Sequence, residues 1–207
     1  ITDAIGQVTT LTYGNTNDIY KITRVTDPFG RFADFAYDSL GRLTNITDVI
    51  GINSRFTYTG SGDSINSLIT PYGTNTFVLG GGGTNGNTRF AETIYADGSR
   101  DRVEYNQTIS IPAVDPVSTI PVGMSVYNST LIARNTFYWS RTACASSYGD
   151  YTKAKIYHWL HSEDINATSG ILQSTKEALE GRVWYDYPGQ SFPYQVGTSD
   201  QPSHVGR

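Results

Sequence analysis

The chain has 207 residues, of which 16% are charged, and its formal net charge is −4. Its 15 basic residues form no stripe, which argues against a nucleic-acid-binding surface, and no apolar run is long enough to cross a bilayer. A single cysteine, Cys144, excludes an intrachain disulfide bond. The chain begins inside a sequence pattern and without Met, so we expect a piece of a larger protein.

A glycine-anchored pattern recurs five times in the first half of the chain. The glycines lie roughly 21 to 25 residues apart, and in every unit an apolar residue follows five positions after the glycine. In four units a tyrosine follows seven positions after it. The glycines are Gly6, Gly30, Gly51, Gly73 and Gly98, and the tyrosines are Tyr13, Tyr37, Tyr58 and Tyr105. The spacing predicts a repeat architecture.

Each unit has the pattern of a β-hairpin. Asp3, Asp27 and Asp48 lie three residues before a glycine, which predicts an Asp-x-x-Gly turn with the carboxylate bonded to backbone N–H groups. Since strand side chains alternate, Phe35 and Tyr37 share the expected core face, as do Phe56 and Tyr58 in the next unit.

The incoming strand leaves an alternative open. Leu43 and Ile46 lie three residues apart, which places them on opposite faces of a strand unless a β-bulge intervenes. One hairpin cannot bury its apolar face alone, so we predict an all-β fold in which consecutive hairpins form a long, twisted and curved antiparallel sheet.

The run Tyr37-Asp38-Ser-Leu-Gly41-Arg42-Leu43-Thr44 resembles the YD repeat of RHS-repeat proteins. Only this unit keeps the full motif, and the others are divergent. The resemblance implies a spiralling β-sheet that closes into a hollow shell, as in bacterial toxin complexes and teneurin-like adhesion proteins. It implies a structural scaffold segment of a secreted or cell-surface bacterial protein, and a shell that encloses or displays a C-terminal effector.

We predict four segments along the chain. Residues 1–110 are divergent YD-repeat hairpins, 111–127 a Pro-rich connection, 128–195 an aromatic-rich continuation of the same sheet, and 196–207 a tail. At most one short helix is expected, near 175–180, because Ser174-Thr-Lys-Glu177 has a capping-box pattern and Gly181 can end a helix.

No sequence motif points to catalysis, so we predict a protein that is not an enzyme and uses no cofactor or metal. His158 and His161 lie three apart on a predicted strand and cannot share a metal ion there. Cys144 is expected to be a small core residue, and Glu163 and Asp164 a solvated acidic pair. The expected partners are the rest of the parent chain and an enclosed effector, with no nucleic acid and no membrane insertion.

The aromatic second half leaves a second hypothesis. Trp139, Trp159 and Trp184 can stack on sugar rings if they are exposed, with the loop from Gly80 to Asn87 beside them. The chain is then an adhesin-like module that binds a cell-surface glycan or protein. Aromatic residues on strands more often pack in a core, which favours the scaffold hypothesis.

Overall fold

The computed structural model describes residues 1–81, 88–112, 120–126, 129–162, 164 and 167–207. Within these ranges, fourteen antiparallel strands follow one another in chain order in one open sheet, which confirms the predicted all-β fold. The strands are β1 Thr10–Thr12, β2 Arg24–Thr26, β3 Phe32–Tyr37, β4 Leu43–Thr47, β5 Asn53–Tyr58, β6 Ile65–Thr70, β7 Gly73–Gly81, β8 Thr88–Ile94, β9 Arg100–Asn106, β10 Asn135–Trp139, β11 Lys155–His161, β12 Thr168–Lys176, β13 Val183–Asp186 and β14 His204–Gly206.

The chain divides into two compact units. The first contains Ile1–Phe77 and Ile94–Gly98, and the second contains Val78–Thr93 and Ser99–Arg207. In the part of the chain that the structure describes, no helix is both long enough and apolar enough to pass through a membrane.

Strand β5 of the first unit shows the predicted alternation. Along β5, Ser54, Phe56 and Tyr58 are half-buried, whereas the side chains between them are exposed.

A β-bulge in the pairing of β3 with β4 decides the alternative that the sequence left open for Leu43 and Ile46. Tyr37 pairs with Leu43 and Ala36 with Asn45, so Thr44 is the extra residue between them. This bulge brings Leu43 and Ile46 to the same face of the sheet.

The second unit has a true core on one face of its sheet. Phe137, Trp139, Ile156 and Trp184 are at most 2% exposed, and they pack with Leu131 and other apolar side chains from outside the strands. Among the described residues one α-helix is present, α1 (Arg141–Ser147), and its N-cap is Ser140, whose side chain accepts a hydrogen bond from the Ala143 N–H. Short 3₁₀ turns cover Ser129–Ile132 and Tyr151–Lys153.

The predicted helix near 175–180 is wrong. Ser174 and Thr175 belong to β12, where they pair with His158 and Tyr157 of β11. The hydroxyl expected to cap the helix instead accepts a hydrogen bond from the Arg182 guanidinium. Residues 177–180 form the turn that leads into β13, because cross-strand pairing outweighs a weak local helix preference.

The segment 196–207, predicted as a tail, ends in a strand. Its residues His204–Gly206 form β14, which pairs with Trp184, Tyr185 and Asp186 of β13. Three residues are too few to show the alternation by which a strand is recognised in sequence, so only the paired partner reveals this strand.

Candidate functional site

The candidate functional feature of the first unit is a turn that recurs with the same hydrogen bonds. In Asp27-Pro-Phe-Gly30, one carboxylate oxygen of Asp27 accepts from the N–H groups of Phe29 and Arg31, both at 2.9 Å. The turns that begin at Asp3, Asp38 and Asp48 repeat both bonds at 2.8–3.0 Å. The carboxylate therefore replaces two backbone acceptors in every turn.

The last residue of these turns has a left-handed backbone. Gly6, Gly30, Gly41 and Gly51 have φ between 78° and 85°, which L side chains rarely adopt. Gly98 has φ of 78° in the divergent fifth unit. Gly73 must also lack a side chain for steric reasons, because an added Cβ there would collide with the Ala96 Cβ. Each signature glycine therefore occupies a position that glycine suits.

A tyrosine hydroxyl ties the two strands of each well-formed hairpin together. The Tyr37 hydroxyl donates to the carbonyl oxygen of Ile22 at 2.8 Å, and the Tyr58 hydroxyl donates to that of Leu43 at 2.7 Å. In both hairpins the tyrosine lies fifteen residues after its acceptor. By contrast, Tyr13 is 51% exposed, so the tyrosines of the signature are not equivalent.

Arg42 links the signature turn to the next loop. Its guanidinium pairs with Asp38 at 2.7 Å and donates to the carbonyl oxygens of Gly60 and Gly62 at 3.0 and 2.6 Å. It also lies over the Tyr58 ring, 4.5 Å from the centroid. Hydrogen bonds from Arg42, first from its N–H and then from its guanidinium, lower the pKa of Asp38. The Gly-Arg pair of the motif thus joins one hairpin to the following one.

A comparison with protein families bears on this unit. Residues 21–51 match the family model named RHS Repeat. They include three of the repeated turns, which begin at Asp27, Asp38 and Asp48, and the Tyr37 tie. Residues 21–51 therefore have the sequence signature of an RHS repeat. No curated protein matches the chain.

The structure shows a further tyrosine tie that the sequence did not reveal. The Tyr187 hydroxyl donates to the carbonyl oxygen of Leu172 at 2.7 Å, again fifteen residues earlier. The register of β12 shifts beside Leu172, as the register of β4 shifts beside Leu43. The hairpin formed by β12 and β13 therefore has the same tyrosine tie as the Tyr37 and Tyr58 hairpins, without their Asp-x-x-Gly turn. The shared separation of fifteen residues between the tyrosine and its acceptor was the signal that could have indicated this tie. The glycine-anchored pattern did not include Tyr187, because no glycine lies seven positions before it.

An open groove of about 710 Å³ lies in the second unit. Trp159 and Tyr105 line it together with Arg89 and Phe90, and small polar side chains such as Thr136 complete the wall. The guanidinium of Arg89 lies 4.9 Å from the centroid of the Tyr105 ring. Such a mixture of aromatic faces and few polar groups is typical of ligand-binding concavities.

The three candidate tryptophans have different environments. Trp139 and Trp184 are 1% and 0% exposed, so neither is available to a sugar, and both belong to the core. Trp159 is half-buried in the groove, where its indole N–H donates to Thr136 Oγ1 at 2.9 Å and its ring stacks on Tyr157 with the centroids 6.2 Å apart. The proposed aromatic platform is thus reduced to Trp159 and its neighbours. Of the Gly80–Asn87 loop, residues 82–87 lie outside the described residues.

A buried charge network joins two strands to the segment around α1. Glu92 and Glu104 are both 7% exposed, and Arg102 pairs with both carboxylates, at 3.5 and 2.7 Å. The Tyr151 hydroxyl donates to Glu104 at 2.7 Å, and the Tyr148 hydroxyl donates to Glu92. Burial, then the carboxylate of Glu104, raises the pKa of Tyr151 to about 12. The sequence reasoning missed this network, although its alternating charges from Arg100 to Glu104 were visible.

The residues considered for chemistry are packed side chains. Cys144 is buried, and desolvation raises the pKa of its thiol, which disfavours the thiolate. His158 is fully buried, with Nδ1 3.0 Å from Asn135 Oδ1 and Nε2 3.1 Å from the Gln173 side-chain amide. Within the described ranges, no group of three or more His, Cys, Asp or Glu side chains is arranged to hold a metal ion. Glu163 lies outside these ranges.

Proposed function

We propose that this chain is a wall segment of a larger RHS-repeat protein, in which the sheet encloses or displays an effector carried by the same parent chain. The proposal places the parent at the cell surface or outside the cell, as expected for such a scaffold. In the first unit, the repeated turns, tyrosine ties and Arg42 link hold neighbouring strands to one another. None of these groups is held ready for a reaction.

The observation that carries the proposal is the recurrence of one turn geometry along the chain. Four Asp-x-x-Gly turns form the same pair of carboxylate bonds, although the residues between Asp and Gly differ each time. A ligand-binding or catalytic site needs one arrangement of particular side chains, whereas a wall needs one unit that is repeated. Repeated hairpins bury a continuous layer only when they lie side by side.

Limited proteolysis of the longer parent protein tests this proposal. The variant Gly30→Ala/Gly51→Ala forces two turns into backbone strain, and we expect it to expose the enclosed segment of the parent to protease. Gly170→Ala is the matched control, because Gly170 has ordinary backbone geometry and nothing within 4 Å of an added Cβ. If the downstream segment of the unaltered parent is digested as fast as that of the turn variant, the enclosure hypothesis fails.

A second candidate function is carbohydrate binding in the groove, and the half-buried Trp159 favours it. Its ring is one of several aromatic rings on the groove wall, while the Tyr105 hydroxyl is bonded to Thr168 Oγ1 at 2.6 Å within that wall. Stacking of a sugar ring on an indole, with hydrogen bonds at its edge, is a chemistry that this lining supplies.

A glycan array followed by titration with the best oligosaccharide tests the second candidate. Trp159→Ala is expected to weaken binding at least tenfold, whereas Tyr138→Ala, a change on β10 outside the groove lining, should leave affinity within about twofold. Absence of binding at millimolar ligand, or equal losses in the two variants, would remove this candidate.

A further inference from the structure

Alternate turns of the first unit share one end of its sheet. From the hairpin that precedes β1 through β7, the strands run antiparallel in chain order, so the connections fall alternately at the two ends. The turns with tips at 4–5, 28–29, 49–50 and 71–72 therefore share an end, which we name the tip row. Adjacent turns in the row are two strands apart, which is about 10 Å.

Every tip residue of these four turns is uncharged and exposed, whereas the next turn at this end, Tyr95–Gly98, has the exposed Asp97 at its tip. The tip pairs are Ala4-Ile5, Pro28-Phe29, Val49-Ile50 and Pro71-Tyr72. The second residue of each pair is large and strongly exposed: 79% for Ile5, 71% for Phe29, 76% for Ile50 and 81% for Tyr72. Turn tips ordinarily carry Asp, Asn, Ser or Gly, so an apolar residue at four successive tips is not required by the turns themselves.

The opposite end of the unit has a less regular composition. Its loop between β5 and β6 reads Thr59-Gly-Ser-Gly-Asp-Ser64, and the turn between β3 and β4 carries a polar Ser39 beside the exposed Leu40. The longer connection between β1 and β2 exposes Ile19 and Tyr20. Four successive turns with a large apolar residue at the second tip position therefore lie at one end of the unit, and the described connections at the opposite end, 13–23, 38–41 and 59–64, do not repeat this pattern.

We infer that the tip row is a self-association surface on which a second copy of this chain docks its own tip row. The chain's own repeat sets the spacing of the tips, so a second copy presents side chains with the same pitch. Two rows related by a two-fold axis bring Ile5 of one chain near Tyr72 of the other, with Phe29 and Ile50 at the centre. The four paired tips carry no charge, so no like charges face each other between them, and the exposed Asp97 of the next turn lies beyond the paired tips.

The size of the row sets the strength of the contact. The large tip side chains present on the order of 500 Å² of apolar surface, the range in which exposed patches mark interaction sites. A standard interface buries about 800 Å² from each partner, so the paired rows, with at most about 1,000 Å² in total, fall below the range of stable complexes and in the range of weak association. We expect a dimer with a dissociation constant on the order of 10–100 µM.

Sedimentation velocity of the 207-residue chain over a concentration series tests this inference. Phe29→Asp/Ile50→Asp is expected to weaken dimerisation at least tenfold. The matched control, Ile19→Asp/Leu40→Asp, adds the same charge at exposed apolar positions of the opposite end and should dimerise like the unaltered chain. Circular dichroism verifies that both variants fold, since all four changed side chains are exposed.

The geometry has its own test, by oxidative cross-linking of chains that carry Ile5→Cys or Tyr72→Cys. Mixed dimers, in which one chain of each variant takes part, should exceed either dimer of like chains, while the buried Cys144 stays unreacted. A chain that remains monomeric at several hundred micromolar overturns the inference. The inference is also overturned if the control variant dimerises as weakly as the Phe29→Asp/Ile50→Asp variant, because that result indicates pairing through the sheet edges. Flotation of a monomeric chain with phosphatidylcholine vesicles, lost in the Phe29→Asp/Ile50→Asp variant, overturns it in favour of a lipid surface.

Discussion

Acidification should destabilise the second unit through His158, at pH values well above those at which carboxylates titrate. This imidazole is fully buried, and Asn135 donates its amide hydrogens to the carbonyl oxygens of Ile109 and Leu131, which leaves Asn135 Oδ1 to accept from His158 Nδ1. Burial, and then the positive charges of Arg134 and Arg182, lower the pKa of His158 from 6.5 to about 3. The folded state therefore holds this side chain neutral.

The sign and size of the effect follow from the two pKa values. Between pH 6.5 and about pH 3, the His158 side chain is protonated in the unfolded chain but neutral in the folded chain. The free energy of unfolding therefore has its full value above pH 6.5 and decreases as the pH falls through this range. The slope is about 1.4 kcal/mol per pH unit, which amounts to about 2 kcal/mol between pH 6.5 and pH 5. His161, whose pKa burial and Arg134 also lower, adds a loss of the same sign.

Urea unfolding at several pH values between about 7.5 and 5 measures this loss, with tryptophan fluorescence as the probe. His158→Gln keeps an amide donor near Asn135 and removes the titrating group. The slope of its unfolding free energy against pH should therefore be smaller than that of the unaltered chain by the contribution of about one proton. Because the substitution also changes stability at neutral pH, the slope is compared and not the absolute value.

Histidine NMR provides an independent measurement on the unaltered chain. The ring protons of His158 should keep their neutral chemical shifts down to about pH 5. The reasoning is refuted if this ring titrates near its ordinary pKa of 6.5, or if the unfolding free energies of the unaltered chain and of His158→Gln fall in parallel as the pH is lowered.

Three further predictions concern the repeat. Tyr58→Phe removes the hydroxyl that bonds to Leu43 and should lower the free energy of unfolding by about 1 kcal/mol, whereas the 81% exposed Tyr72→Phe should change it little, as urea titration can show. Tyr187→Phe should be as costly as Tyr58→Phe; a loss below a third of that value would mean that its tie is not equivalent. Gly51 has φ of 85° and nothing within 4 Å of an added Cβ, so Gly51→Ala should lower the free energy of unfolding by about 1–2 kcal/mol through backbone strain alone. Gly170→Ala should cause no loss, and equal melting temperatures of the two variants would contradict this prediction.

Local chemistry made much of the first unit predictable. An Asp three residues before a Gly has one favourable way to satisfy its neighbouring N–H groups, and the alternation of Phe56 and Tyr58 assigns the inner face of a strand. The bulge at Thr44 was an open alternative, because the number of residues permits it but only the pairing partner decides where the extra residue lies.

The candidate groove was less predictable for a related reason. The sequence marked Trp139, Trp159 and Trp184 alike, and nothing local distinguishes an aromatic residue that faces the core from one that faces a groove. Their exposure depends on which face of the second unit's sheet is covered by α1 and by side chains such as Ile111, Val126 and Leu131.

The sequence by itself determined the repeating hairpins, since Asp-x-x-Gly turns and side-chain alternation act over a few residues. Only the tertiary structure decided that Ser174 belongs to a strand and not to a helix cap, that His204–Gly206 forms a strand, and that Tyr187 repeats the tie of Tyr37. Each of these depends on a partner supplied by another segment of the chain, and hydrogen bonds and burial between distant segments leave no periodic signal in either one.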